Sequence, residues 1–312
     1  EVDAIVNNPA KPTFANTILA LEQQGALLDR IGGVFFNINE ANTSDELQAI
    51  AIEIQPKLTA LSNDVSLNPE LFKRVKYVYE NPGLFLSKED KKLLEDTYKG
   101  FVRGGANLSE QDKELYRQYT GELSGLTLKF GQNSLAATNA FSYNITDAKL
   151  VEELPGFVKE GLAMEAKARG EKGWTVTLKA PSYGPFMTYS SQRAIKEKLW
   201  KAYNSRALGG EFDNSDNIRQ ITALRLKIAN LLGYKCYADY VLDNRMAQNT
   251  PTVLSFLEEL RSATIEYAAK DVEDIAAYAA TLGLEGQLMP WDFGYYSEKY
   301  KNEKYAVSDE LV

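Results

Sequence analysis

The stretch PTVLSFLEELRSATIEYAAKDVEDIAAYAATL, Pro251 to Leu282, decides the fold class. Thr250 stands before it as an N-cap, and Pro251 at the first helical position gives up an N–H that would have no intrahelical partner anyway. Val253, Leu257, Leu260, Ala268, Val272, Ile275 and Ala279 recur near the helical period, which predicts one continuous apolar face. Gly283 supplies a left-handed stop.

The same punctuation recurs on either side of this segment. Thr43 with Glu46 reads as a capping box ahead of LQAIAIEIQPKLTAL, in which Pro56 is expected to kink the helix. Asn68-Pro69, Ser87 and Ser109 open three further helices, the second of which ends at Gly104. A first helix is expected from near Thr13 to Asn37, and others over 191–206 and 216–232, the last stopped by Gly233. Two stretches break the pattern: FSYNIT (141–146) and WTVTLKA (174–180) carry aromatic and β-branched residues as short strands do. PSYGPFMTYS (181–190), with Pro181, Gly184 and Pro185, reads as a loop. The expected architecture is therefore mainly α: a helical region over 1–140, a small β-containing insert over 141–189, and a second helical region over 190–312.

The terminal SDELV is a helix start in miniature. Ser308 is the cap, Asp309 and Glu310 oppose the helix dipole, and Val307 with Val312 forms a hydrophobic staple. This reads as the first turn of a helix whose remainder belongs to a longer parent.

Composition narrows the chemistry. The 312 residues carry a net charge of −8 with no basic stripe, so nucleic acid is not expected as a partner. No apolar run reaches the roughly 18 residues of a membrane span, so no membrane partner is expected. The absence of a secretory leader is compatible with the cytoplasm, while a trimmed N-terminus would leave the periplasm open. There is no histidine and a single cysteine, Cys236. Ser–His and Cys–His catalysis and imidazole-based zinc sites are thereby excluded, and any metal would have to sit on oxygen ligands alone.

Most remaining candidates have simple structural accounts. The pairs Gly32-Gly33, Gly104-Gly105 and Gly209-Gly210 lack the Lys-Ser/Thr of a phosphate loop. EFDNSDN (211–217) lacks the glycine and closing glutamate of a calcium loop and reads as a turn with a helix cap. Glu258, Glu259, Asp271, Glu273 and Asp274 read as the wet face of a helix. The tyrosine-rich runs are more suggestive. PSYGPFMTYS and PWDFGYYSEKY place Tyr183, Tyr189, Tyr295 and Tyr296 beside turn-forming residues, where a polar tip on an apolar body suits a wet groove wall that holds peptide backbone. Packing at junctions is the simpler account of any single one.

Several collinear blocks carry a family resemblance: NPAKPTFANTILALEQQGALLDRIGGVFFNINEANTSDELQAI, GANLSEQDKELYRQYTGELSGLTLKFGQN, WTVTLKAPSYGPFMTYSSQRAIKEKLWKAYNSRA and LRLKIANLLGYKCYADYVLDNRMAQNTP. Together with MPWDFGYYSEKYKNEKYAVSDELV they run the length of the chain. In this order they resemble the amino-terminal half of the M3 family of zinc metallopeptidases, with APSYGPFMTYS similar to the bacterial peptidyl-dipeptidase branch. The resemblance implies a neurolysin- and oligopeptidase-like helical lobe forming one wall of a channel for short unstructured peptides. It also implies a zinc ion held by HExxH on a catalytic lobe absent from this chain. A chain without histidine carries none of that motif, so it is expected to bind no zinc itself, to have no catalytic residues and to be inactive alone. The alternatives are the corresponding part of an oligopeptidase A-type endopeptidase, or a stand-alone helical scaffold that has lost catalysis and would expose few apolar faces.

Overall fold

The computed structural model describes residues 1–83 and 85–307. The helix start read at Ser308 lies outside the described residues. The chain is mainly helical, with one two-stranded sheet among the described residues. It forms two compact units that do not follow the linear division at 140 and 189. Unit 1 takes Glu1–Phe130 and Asp216–Asn249; unit 2 takes Gly131–Ser215 and the residues from Thr250 on.

Unit 1 has a core of Ile5, Ile18, Leu71, Phe72, Val75, Val78, Leu94, Phe101 and Ala106. It is built by the helices Pro69–Glu80 and Lys88–Arg103 together with the chain start. Their caps follow the sequence reading. The Asn68 side chain accepts from the backbone N–H groups of Glu70 and Leu71, with Pro69 in the first turn. Ser87 accepts from Asp90 N, while the Asp90 carboxylate accepts from Ser87 N. Each contact satisfies an N–H that the helix itself cannot. A second cluster of Leu67, Tyr116 and Ile228 ties Asp45–Ser66, Glu110–Ala140 and Ser215–Leu231 together. Arg103 reaches Asp243 Oδ2 at 2.6 Å and the Tyr240 carbonyl at 2.7 Å, which fixes the short helix Tyr237–Leu242.

Two expectations in unit 1 need correction. The first helix is not continuous: a π-helical turn, Phe14–Leu19, leads into Ala20–Glu22 and then breaks. Gly25 adopts φ +75°, open to glycine at little steric cost, and a new helix runs Ala26–Ala41. The cap before LQAIAIEIQ is Ser44, which accepts from Leu47 N at 3.3 Å, while Thr43 donates instead to Asn39 Oδ1. The helix then passes through Pro56 without interruption.

Unit 2 holds the sheet. Strand β1 is Ser142–Ile145 and strand β2 is Trp174–Thr177, paired antiparallel with Ser142 opposite Thr177 and Ile145 opposite Trp174. Their close approach depends on Gly173, at φ +85°, where a Cβ would sit 2.2 Å from the Ile145 carbonyl oxygen. The helix Gly156–Ala168 lies on β2 through Val158 and Leu162. The core is completed by Ile145, Val151, Leu154, Val176, Phe186, Ile195 and Leu199.

The segment read as a loop at 181–190 is instead a helix, Ala180–Tyr189. Pro181 falls in the first turn, where its missing N–H costs nothing, and Pro185 removes a single internal bond. Complete burial of Phe186 outweighs that loss. PWDFGYYSEKY was read only for its turn-forming residues, but Pro290–Tyr305 is a helix with Pro290 in its first turn. The 211–217 run is the predicted turn and cap. Asp213 Oδ1 accepts from Gly209 N, Ser215 N and Ser215 Oγ.

The helix Thr250–Thr281 stops before Gly283 at φ +88°, as its sequence predicts. Its apolar face is another matter. Only Ile275 and Ala279 are buried, whereas Leu254, Phe256, Leu257, Leu260, Ile265 and Val272 are exposed. The helix Ala26–Ala41 likewise exposes Leu27, Leu28, Ile31, Val34 and Ile38. Among the described residues no helix is long and apolar enough to cross a membrane.

Candidate functional site

The helix Pro290–Tyr305 organises a cleft in unit 2. Its N-terminus is anchored by Asp292, a carboxylate only 1% exposed. Asp292 accepts from Met289 N at 3.0 Å and from Arg193 Nε at 3.1 Å on both oxygens. Arg193 also donates to the Gln287 carbonyl at 3.1 Å. The hydrogen bond to the Asp292 carboxylate raises the Arg193 pKa above its ordinary value.

From this anchored start, Tyr295, Glu298, Lys299, Asn302 and Glu303 follow at helical spacing and line one cleft of about 510 Å³. Tyr189 enters from the end of Ala180–Tyr189, Tyr278 from Thr250–Thr281, and Glu153 with Pro155 from the turn before Gly156–Ala168. The Tyr278 hydroxyl donates to Glu303 Oε2 at 2.6 Å, and this bond to a carboxylate pushes the phenol up to about 12. Tyr189 meets Phe157 edge-on at 6.1 Å.

The four tyrosines singled out in the sequence separate here. Tyr189 and Tyr295 line the cleft; Tyr183 and Tyr296 are not among its lining residues. Tyr183 is stacked on Tyr203 at 4.2 Å, and burial raises its pKa. Tyr296 packs against Tyr295 at 5.0 Å, and burial raises its pKa too. Sequence reasoning missed Tyr278, Glu153 and Glu303. The last was legible as the end of a 295–299–303 stripe.

Beneath Tyr295 lies Lys196, 1% exposed, with its Nζ 4.4 Å from the ring centroid. Among the described residues no carboxylate lies within ion-pair distance of it. Burial pushes the amine down to about 8; Asp292 and Glu153 pull it back up, and Arg193 presses it lower. Since the folded-state pKa lies below the unfolded value of 10.5, the folded state binds fewer protons between the two. Lys196 therefore costs stability below pH 8, and that cost fades as pH rises toward 10.5. Relative to Lys196→Met, the unmodified chain is expected to gain stability across that window in urea titrations at stepped pH. Parallel pH profiles for the two proteins would refute the assignment.

Unit 1 has a larger hollow of about 840 Å³, lined mainly by Leu21, Leu27, Leu28, Ile31, Leu61 and Val65. Its one unsatisfied polar atom among the described residues is Gln24 Oε1, and no set of reactive groups converges there.

Among the described residues no three His, Cys, Asp or Glu side chains converge, and the sequence has no imidazole at all. The zinc implied by the resemblance does not fit this chain's own residues.

Comparison with known proteins accounts for the whole length. Residues 186–312 match the family described as Peptidase family M3. The chain is 33% identical over 315 aligned residues to dipeptidyl carboxypeptidase of Escherichia coli (strain K12), covering 99% of this chain and 46% of that protein. It is 32% identical to oligopeptidase A of Haemophilus influenzae, covering 96% of this chain and 45% of the relative. For the probable cytosolic oligopeptidase A of Arabidopsis thaliana the figures are 32%, 96% and 44%. The chain thus spans about half the length of the curated relatives it matches. Residues 186–312 thus match Peptidase family M3, and the chain is similar to these relatives along 96–99% of its own length.

Proposed function

We propose that this chain is the non-catalytic, amino-terminal portion of a zinc-dependent peptidyl-dipeptidase that removes C-terminal dipeptides from short peptides, and that it forms one wall of the substrate channel. The observation that carries the reading is the similarity to dipeptidyl carboxypeptidase over 99% of this chain but 46% of the relative. The chain has no histidine, so zinc and the general-base glutamate belong to a catalytic lobe outside it. That lobe supplies the chemistry when its zinc is bound. This portion selects short unstructured peptides by size and holds them through the Tyr189 and Tyr295 surface.

The exposed apolar faces of Ala26–Ala41 and Thr250–Thr281 support the reading. Exposed apolar side chains repeated along a helix suit a surface that another body covers, and the remainder of the parent polypeptide is the occupant proposed. The same exposure counts against a stand-alone scaffold, which would keep such faces few. An oligopeptidase A-type endopeptidase is the second reading, favoured by the 32% identity to the Haemophilus influenzae enzyme.

Purified 1–312 with added zinc is expected to release no dipeptide from a blocked short peptide. Turnover that survives rigorous purification overturns the proposal. The same peptide given to the chain joined to an HExxH-containing lobe separates the two enzyme readings: C-terminal dipeptides support the first, internal cleavage the second.

A further inference from the structure

We infer that Lys196 is a positioning residue for peptide binding: its buried ammonium holds the Tyr295 ring in the cleft wall, and the cleft grips a peptide best while that amine is charged. This deepens the channel-wall reading and rests on it. Lys196 stands with Ile195 and Leu199 on the buried face of the helix Arg193–Asn204. It is buried at its tip as well as its stem, with Nζ 4.4 Å from the centre of the Tyr295 ring. Among the described residues no hydrogen bond or ion pair holds that ammonium, so the ring face is the partner the fold gives it. A methionine would fill the same place without the cost of burying a charge.

Tyr295 is half-buried and lines the cleft. Tyr296 meets its ring edge-on, and the exposed Lys299 lies 5.0 Å from its centre. Water weakens the Lys299 contact, whereas the desolvated Lys196 contact is the stronger of the two. A ring already held loses little freedom when a peptide packs on it, and a free ring must be immobilised first. That ordering cost corresponds to about threefold to tenfold in affinity.

The charge on Lys196 is the variable. Asp292 and Tyr295 face it from Pro290–Tyr305, Glu153 from the turn before Gly156–Ala168, and Arg193 from its own helix. Ala180–Tyr189, which also packs on that helix, brings only the phenols Tyr183 and Tyr189. Burial outweighs the two carboxylates and sets the amine at about 8. Peptide affinity is therefore expected to fall as pH rises through 8, while the stability of the chain rises. A lysine that serves only the fold would not move the two in opposite directions.

The test uses purified 1–312 and an amidated hexapeptide with no ionisable side chain, labelled at its N-terminus with tetramethylrhodamine. Fluorescence anisotropy is expected to give about fivefold weaker binding at pH 9.5 than at pH 7, with the midpoint near 8. Lys196→Met is expected to bind at every pH as the unmodified chain does at pH 9.5. Tyr295→Leu keeps the lysine, removes the ring, and is expected to bind weakly with a flat profile. If Lys196→Met loses its near-UV circular dichroism, the Tyr295→Leu profile carries the comparison. Affinity that stays level or rises across pH 8 in the unmodified chain overturns the role of Lys196 and leaves the channel-wall reading standing. A fall that persists in either variant does the same. Failure of the peptide to bind at any pH overturns both.

Discussion

Phe186→Ala is expected to cost about 3–5 kcal/mol in urea unfolding, among the largest effects of any single truncation in unit 2. The ring is 0% exposed and belongs to the core cluster with Val176, Ile195 and Leu199, so its removal leaves a cavity in a close-packed interior. It also removes the reason for a helix at 180–189, where Pro181 and Pro185 weaken the intrinsic preference. Tyr189 sits at the end of that helix, so the variant is expected to lose peptide binding along with stability. A cost below 1 kcal/mol would mean that this helix is held by something other than its buried ring.

Arg193→Leu is expected to destabilise by about 3 kcal/mol, the lower end of what breaking a buried pair costs, because Arg193 itself is partly exposed. The loss falls on Asp292, whose carboxylate would remain buried with only the Met289 N–H and distant Lys196 to offset it. The double variant Arg193→Leu/Asp292→Asn is expected to recover part of the loss, and the cycle to return a coupling of about 1–3 kcal/mol. Lys196 gives an independent readout. Removing Arg193 removes a like charge, so the pH window over which Lys196 loses its cost is expected to move upward from about 8. Additive single effects with an unmoved window would show the pair to be incidental.

The fold was legible wherever a single residue type answers a local need. Asn68-Pro69, Ser87, Ser109, Gly233 and Gly283 each satisfy or terminate a helix end, and each acts where the sequence places it. The misreadings arise where distant burial overrides local preference. Two prolines and a glycine at 181–185 argue for a loop until Phe186 is seen to fill the core. Periodicity in Thr250–Thr281 identifies the face that seeks cover, and it says nothing about what covers it. The cleft was half legible for a similar reason. Tyr295, Lys299 and Glu303 share a helix and therefore a face, but Glu153 and Tyr278 arrive from segments more than 100 residues apart. No spacing rule joins them.

The division of unit 1 into Glu1–Phe130 and Asp216–Asn249 has a consequence for synthesis. After Phe130 has left the ribosome, the chain must deliver all of Gly131–Ser215 before the first unit's remaining helices follow. At ordinary elongation speed that delay is on the order of ten seconds. During it Leu67 and Tyr116 wait without Ile228, apolar and unpaired. The nascent polypeptide therefore carries an unfinished core while Gly131–Ser215 is being made, a period in which chaperone access bears on yield.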